Sequence, residues 1–96
     1  MTKHYYEIVI TYNRNETSRY SISGHIVKAF NKEDALRIRE KHGISLPMNS
    51  TEIRTIRCHK LDLRHSDVKA VLERRRKHLH GSIWYEDENG NLQTEI

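Results

Sequence analysis

From residue 4 to residue 12 the chain alternates, with Tyr6, Ile8, Ile10 and Tyr12 on one phase and Tyr5, Glu7, Val9 and Thr11 on the other. A period of two carried by β-branched and aromatic residues predicts a strand. Asn13-Arg14-Asn15-Glu16 reads as a turn. Tyr20, Ile22 and Ile26 place a second strand beyond it, with Gly24 marking a bulge or bend, and the two strands form a hairpin. The period then changes. Asn31 can accept from an early backbone N–H, Glu33 and Asp34 suit a first helical turn, and Phe30 can staple onto Ala35, so a helix begins here. It runs to about His42, where Gly43 supplies a left-handed residue and Ile44 folds back onto Ile38.

After a loop that holds the only proline, Pro47, residues 52–61 form a third strand, in which Ile53 and Ile56 fall on opposite faces. That mismatch predicts a bulge or burial on both sides. Ser66 with Asp67 caps a second helix whose stripe takes Val68, Val71, Leu72 and Leu79, together with Arg75, and Gly81 ends it. Ile83-Trp84-Tyr85, the turn Asp87-Glu88-Asn89-Gly90-Asn91 and residues 92–96 make a closing hairpin. The order β-β-α-β-α-β-β predicts a single α+β domain over residues 1–96, two-layered, with a mostly antiparallel sheet and both helices on one face.

Composition sets the scale of the core. Leu, Ile, Val and Phe make up 22 of the 96 residues, just above the roughly 20% below which a charged chain stays disordered, so the core is thin. No apolar run approaches the ~18 residues of a membrane span and the first residues carry no apolar leader, so a cytoplasmic protein without membrane contact is expected. A single cysteine, Cys58, forms no internal disulfide, in keeping with a reducing compartment.

Charge is distributed unevenly. Residues 1–53 carry eight basic and six acidic side chains, residues 54–80 nine and three, and residues 81–96 none and four. Within the middle segment Arg74-Arg75-Arg76-Lys77-His78 wraps a helix, because successive residues advance about 100°. Arg75 lands on the apolar stripe and must snorkel from it. Cations at a helix C-terminus complement the macrodipole, which accounts for two or three of them but hardly for all five and His80. The surplus points to phosphate contact by Arg54, Arg57, Lys60, Arg64, Lys69, Arg74, Arg75, Arg76, Lys77 and His80. If one sheet face is open, Tyr5, Tyr6, Tyr12, Tyr20, Trp84 and Tyr85 are candidates to stack bases, which favours RNA over DNA, although the stronger reading is that Tyr and Trp are ordinary fillers of a small core and of cross-strand pairs. The RNA-recognition-motif signature, helix-turn-helix and zinc-finger spacings are absent.

Other chemistry finds less support. Cys58, His59, His65, His78 and His80 lack paired metal-ligand spacing, so no metal and no cofactor is expected. A small nuclease would need a His pair, and nothing selects one from His25, His42, His59 and His65. Cys58 reads as a small apolar filler. The four isolated glycines build no phosphate loop. The acids Glu86, Asp87, Glu88 and Glu95 either fold back over the basic helix or protect an edge hairpin. The expected role is a non-enzymatic nucleic-acid-binding module, RNA favoured, monomeric or homodimeric. The alternative is an accessory protein that binds and inhibits a nucleic-acid-handling host enzyme or toxin, alone or together with RNA. In size and organisation the chain is similar to small accessory proteins of phages and mobile elements.

Overall fold

The computed structural model describes residues 2–14, 20–44, 51–77 and 82–95, and of residues 12–14, 20–23 and 51–54 the backbone path alone. The alternating segments form β1 (His4–Arg14), β2 (Tyr20–Ala29) and β3 (Thr51–Lys60), the helical patterns α1 (Lys32–His42) and α2 (Ser66–Arg76), and the closing hairpin β4 (Ile83–Glu86) and β5 (Leu92–Glu95). The protein is therefore α+β in the order expected. One five-stranded sheet runs β3-β1-β2-β4-β5, antiparallel except where β2 lies parallel to β4.

Local chemistry accounts for the boundaries. Asn31 Oδ1 accepts from the Asp34 amide at 2.8 Å, and Asp34 returns a bond by accepting from the Phe30 amide at 3.2 Å. At the far end Gly43 takes φ 65°, its amide donates to the Glu40 carbonyl and that of Ile44 to the Arg39 carbonyl. This is the Schellman pair, and it buries Ile44 in the same cluster as Ile38. Asp87 holds the β4–β5 turn by accepting from the amides of Asn89 and Asn91, with Gly90 left-handed at φ 81°.

Two local expectations shift, those for the α2 cap and for Gly24. The N-cap of α2 is His65, without a side-chain cap bond. Ser66 and Asp67 lie inside the first turn because Asp62 closes the preceding turn, accepting from the Arg64 amide at 3.0 Å. The stretch expected to carry α2 on to Leu79 and Gly81 lies outside the described residues, and within them the helix ends at Arg76. The bulge belongs to β3: Thr55 pairs with Thr11 and Ile53 with Tyr12, which leaves Arg54 as the extra residue. The slip returns Ile53 and Ile56 to one phase of β1, as their apolar character required. Gly24 makes no bulge, since β1 and β2 stay in unbroken register through Val9 and Gly24.

The larger correction concerns layers. The helices do not share a face. On one side Tyr6, Ile8, Ile10, Val27 and Ala29 pack with Ala35 and Ile38 of α1; on the other Ile26 and Ile83 pack with Leu72 of α2, edged by Tyr5, Leu61 and Val68. Topology explains this. The chain crosses from β2 to β3 in one direction and from β3 to β4 in the other, between strands that run parallel. Two crossovers of the same hand in opposite directions put their helices on opposite faces. The domain has three layers, and its apolar residues divide between two small clusters.

Charge assists the thin packing. Glu86, at the end of β4, binds Arg37 through both carboxylate oxygens (2.9 and 3.3 Å) and also meets Lys41 Nζ at 3.1 Å and His42 Nε2 at 2.8 Å. These contacts tie α1 to the sheet, and the Arg37 guanidinium in particular holds the Glu86 carboxyl at a pKa of about 2. One buried cation is not served in this way. Arg39, only 6% exposed, has no hydrogen-bond partner for Nε and Nη2 among the described residues, an arrangement that costs about 1 to 3 kcal/mol.

Two outcomes follow. Because the Glu86 pKa is depressed on folding, its contribution is complete above the ordinary carboxylate pKa and fades as pH falls toward about 2. Glu86→Gln should therefore cost about 1 kcal/mol in urea unfolding at pH 7, with the difference from the parent shrinking between pH 5 and pH 2. Arg39→Met, which removes an unpaired buried charge and keeps an unbranched apolar stem, should leave the melting temperature unchanged or raise it. A clear loss would mean that the guanidinium is satisfied in solution.

Candidate nucleic-acid interface

The basic residues of 54–80 divide into those the fold uses and those it leaves over. Arg76, half-buried at the end of α2, donates through Nε to Glu95 Oε1 at 2.6 Å and through Nη2 to the Tyr5 hydroxyl at 2.9 Å. Tyr5 in turn donates to Glu95, and Lys28 Nζ stands 3.4 Å from the same carboxylate. Burial alone would raise the Glu95 pKa; the hydrogen bonds from Tyr5 and Arg76, with the Lys28 charge, reverse that and hold it below the usual range. This group fastens α2 to the edge strand β5. Arg75 is half-buried and snorkels, its Nη1 reaching the Gly24 carbonyl at 3.4 Å. Both arginines thus have structural partners.

The others face water. Arg57, Lys60, Lys69 and Arg74 are exposed and make no ion pair among the described residues. Arg64, its side chain 92% exposed, folds onto Asp62 at 2.9 Å and depresses the Asp62 pKa. Lys77 meets Glu73 at 3.4 Å with both side chains well exposed, an i,i+4 pair of little energetic weight. The Arg54 backbone forms the bulge, while its side chain and all of His80 lie outside the described residues.

Two adjoining clefts carry these cations. One, of about 430 Å³, opens at the carboxyl end of β3 and is lined by His4, Tyr5, Lys60, Asp62 and Arg64; the other, an open groove of about 650 Å³ beside α2, by Leu72, Lys69, Glu73, Arg76 and Lys77. Leu63 borders both. The first sits outside the carboxyl ends of β2 and β3, from which the chain departs to opposite faces, a usual ligand position in sheets with divergent crossovers.

The acidic segment serves α1 as much as α2. Glu86 goes to Arg37, Lys41 and His42, and only Glu95 reaches α2, so one arginine of the basic run is masked. The sequence offered no cue to the Glu86 contact, because it depends on how α1 lies across β4.

Among the described residues no open aromatic platform forms. Tyr6 is buried and Trp84 packs against the same core. Cations cover the other rings: Lys28 and Arg76 lie 5.3 and 5.7 Å from the centre of Tyr5, and Lys3 lies 5.7 Å from that of Tyr85 and 5.3 Å from that of Phe30. The side chains of Tyr12 and Tyr20 are not among those described.

Cys58 is half-buried against the core, and burial raises its thiol pKa. The histidines are dispersed: His42 meets Glu86 at 2.8 Å, His59 meets Glu7 at 3.1 Å, and His65 lies 3.8 Å from Asp62. Among the described residues no three His, Cys, Asp or Glu side chains converge as a metal ion would need, and no helix is long and apolar enough to cross a membrane. Comparison with protein-family models, with curated proteins and with solved structures returned no match.

The division between used and unused cations has a direct check. Arg76→Ala should lower the melting temperature clearly, since it removes both hydrogen bonds by which α2 holds Glu95 and the Tyr5 hydroxyl. Arg57→Ala and Arg74→Ala should each stay within about 0.5 kcal/mol of the parent in chemical unfolding.

Proposed function

We propose that this protein is a non-enzymatic nucleic-acid-binding module that engages phosphates through the surface of β3 and α2. The observation that carries this reading is the set of exposed basic side chains, Arg57, Lys60, Lys69 and Arg74, for which the fold has no use, with Arg64 and Lys77 held only by surface pairs. Folding makes no demand for them, and four unpaired like charges on neighbouring elements repel one another. A polyanion relieves that repulsion and releases counterions, a gain that grows with each phosphate neutralised. With Tyr5 and Tyr85 beneath cations and Tyr6 buried, base stacking contributes little and binding tolerates many sequences. The preference for RNA, which rested on stacking, loses most of its support. Arg76 belongs to the scaffold, while Arg75 is held by one contact with the Gly24 carbonyl, so the contact set narrows to Arg75 and the residues left over.

The test is anisotropy titration of fluorescent single- and double-stranded oligonucleotides over a range of salt. Changing Arg57, Lys60, Lys69 and Arg74 together to Ala should leave the fold intact and flatten the slope of log affinity against log salt by about 2 to 3 for a single strand. No association of the parent protein at low salt would refute the reading.

A second reading, a protein partner, draws on the groove where Leu63, 46% exposed, lies with Leu72 among Lys69, Arg76 and Lys77. An acidic protein surface bearing one apolar anchor suits that lining. A stoichiometric complex with one protein that survives nuclease treatment would favour it over nucleic acid.

A further inference from the structure

Gly24 has no conformational reason to be glycine. It lies inside β2, in unbroken register opposite Val9, and the left-handed glycines are Gly43 and Gly90. Glycine within a strand costs roughly 0.5 to 1 kcal/mol relative to alanine, a cost normally offset by a bulge, a tight bend or the close approach of another group. The register excludes the first. For the last, a Cβ built on Gly24 would meet no atom of the described residues within 4 Å. Space stands where a side chain would be.

That space lies on the sheet face that α2 covers only in part. The apolar contacts of α2 are with Ile26, Ile83, Tyr5 and Leu61, toward β4. Among the described residues nothing roofs the rest of this face: Val9 and Thr11 are half-buried and belong to neither core cluster, while Thr55, Arg57 and His59 are exposed. Register aligns Arg57, Val9 and Gly24 in one row across β3, β1 and β2. Two strand spacings, about 10 Å, separate the ends of that row. Arg57 stands at one end, and at the other Arg75 is tethered to the Gly24 carbonyl. The acid on this part of β1, Glu7, is engaged by His59 at 3.1 Å.

We infer that this unroofed strip, floored by Val9 and Gly24 and flanked by Arg57 and Arg75, is where the sugar–phosphate backbone of a single-stranded nucleic acid lies. The inference rests on the proposed function and deepens it by naming the form of nucleic acid and the place of contact. A duplex is commonly met by an element that protrudes into its groove, whereas this strip is a stretch of sheet surface beside α2, about two strand spacings across. Glycine serves by its absence of side chain, since it lets the backbone ride close to the sheet between two guanidiniums.

The test uses the full chain and 12-nucleotide thymidine and uridine homo-oligomers, with a duplex of equal length for comparison. Gly24→Val, a β-favouring change into empty space, should keep or raise the melting temperature while weakening single-strand binding by about tenfold or more. Duplex binding should change much less. If Gly24→Val fails to fold, Gly24→Ala and amide chemical shifts of the unaltered protein decide instead, with Val9, Gly24 and Arg57 expected to move most on titration with the thymidine oligomer. A parent that binds single strands while a folded Gly24→Val or Gly24→Ala binds them equally well, or whose shifts fall elsewhere, overturns the strip and leaves the proposed function standing. Absence of any binding by the parent overturns both.

Discussion

Ile26 and Val27 are adjacent in β2, project to opposite sides of the sheet, and are both fully buried. That pair states the constraint on which the rest of this molecule depends: both faces of one sheet must be covered by a chain with few apolar residues. The α1 face takes most of them, with Tyr6, Ile8, Ile10, Val27 and Ala29 beneath Ala35 and Ile38. What remains for α2 is a buried cluster of three, Ile26, Leu72 and Ile83. At about 25 cal/mol per Å² of apolar surface, so small a contact cannot roof a whole face.

Two consequences follow from that shortage. The second helix needs polar fastening, and the Arg76–Glu95–Tyr5 group supplies it at the sheet edge, as the Glu86 group does for α1. It also leaves the β1 and β3 side of its face uncovered among the described residues. Stability and surface chemistry are therefore coupled, since the acids of the closing hairpin are committed to holding the helices and neutralise little of the exposed charge on β3 and α2.

Much of the secondary structure was legible. The Asn31 cap, the Gly43 and Ile44 closure and the Asn-Gly turn each depend on a few neighbouring residues. The bulge near Ile53 and Ile56 was legible too, because a phase error in a strand leaves few alternatives. The α2 cap was misassigned because Ser66 and Asp67 are good capping residues and the competing turn at Asp62 is equally local. Of the candidate site, the basic run stood out at once. Which of its members the fold consumes depended on where Glu95, Tyr5 and Gly24 lie, residues far away in the chain.

The sequence by itself determined the element order, the positions of most turns and the excess of positive charge over residues 54–80, because periodicity, caps and charge are properties of neighbouring residues. Tertiary structure alone decided that the helices lie on opposite faces, that Arg76 serves the scaffold while Arg75 reaches the sheet at Gly24, and that the aromatic rings among the described residues are buried, packed on the core or covered by cations. The physical reason is topological. The chain reverses its direction across the sheet at β3, and the hand of the crossovers turns that reversal into a change of face. Ile26-Val27 carried a trace of it, since consecutive buried residues in a strand imply cover on both sides. Which helix covers which side, and how much of the sheet stays bare beside Gly24, depends on packing that only the folded chain specifies.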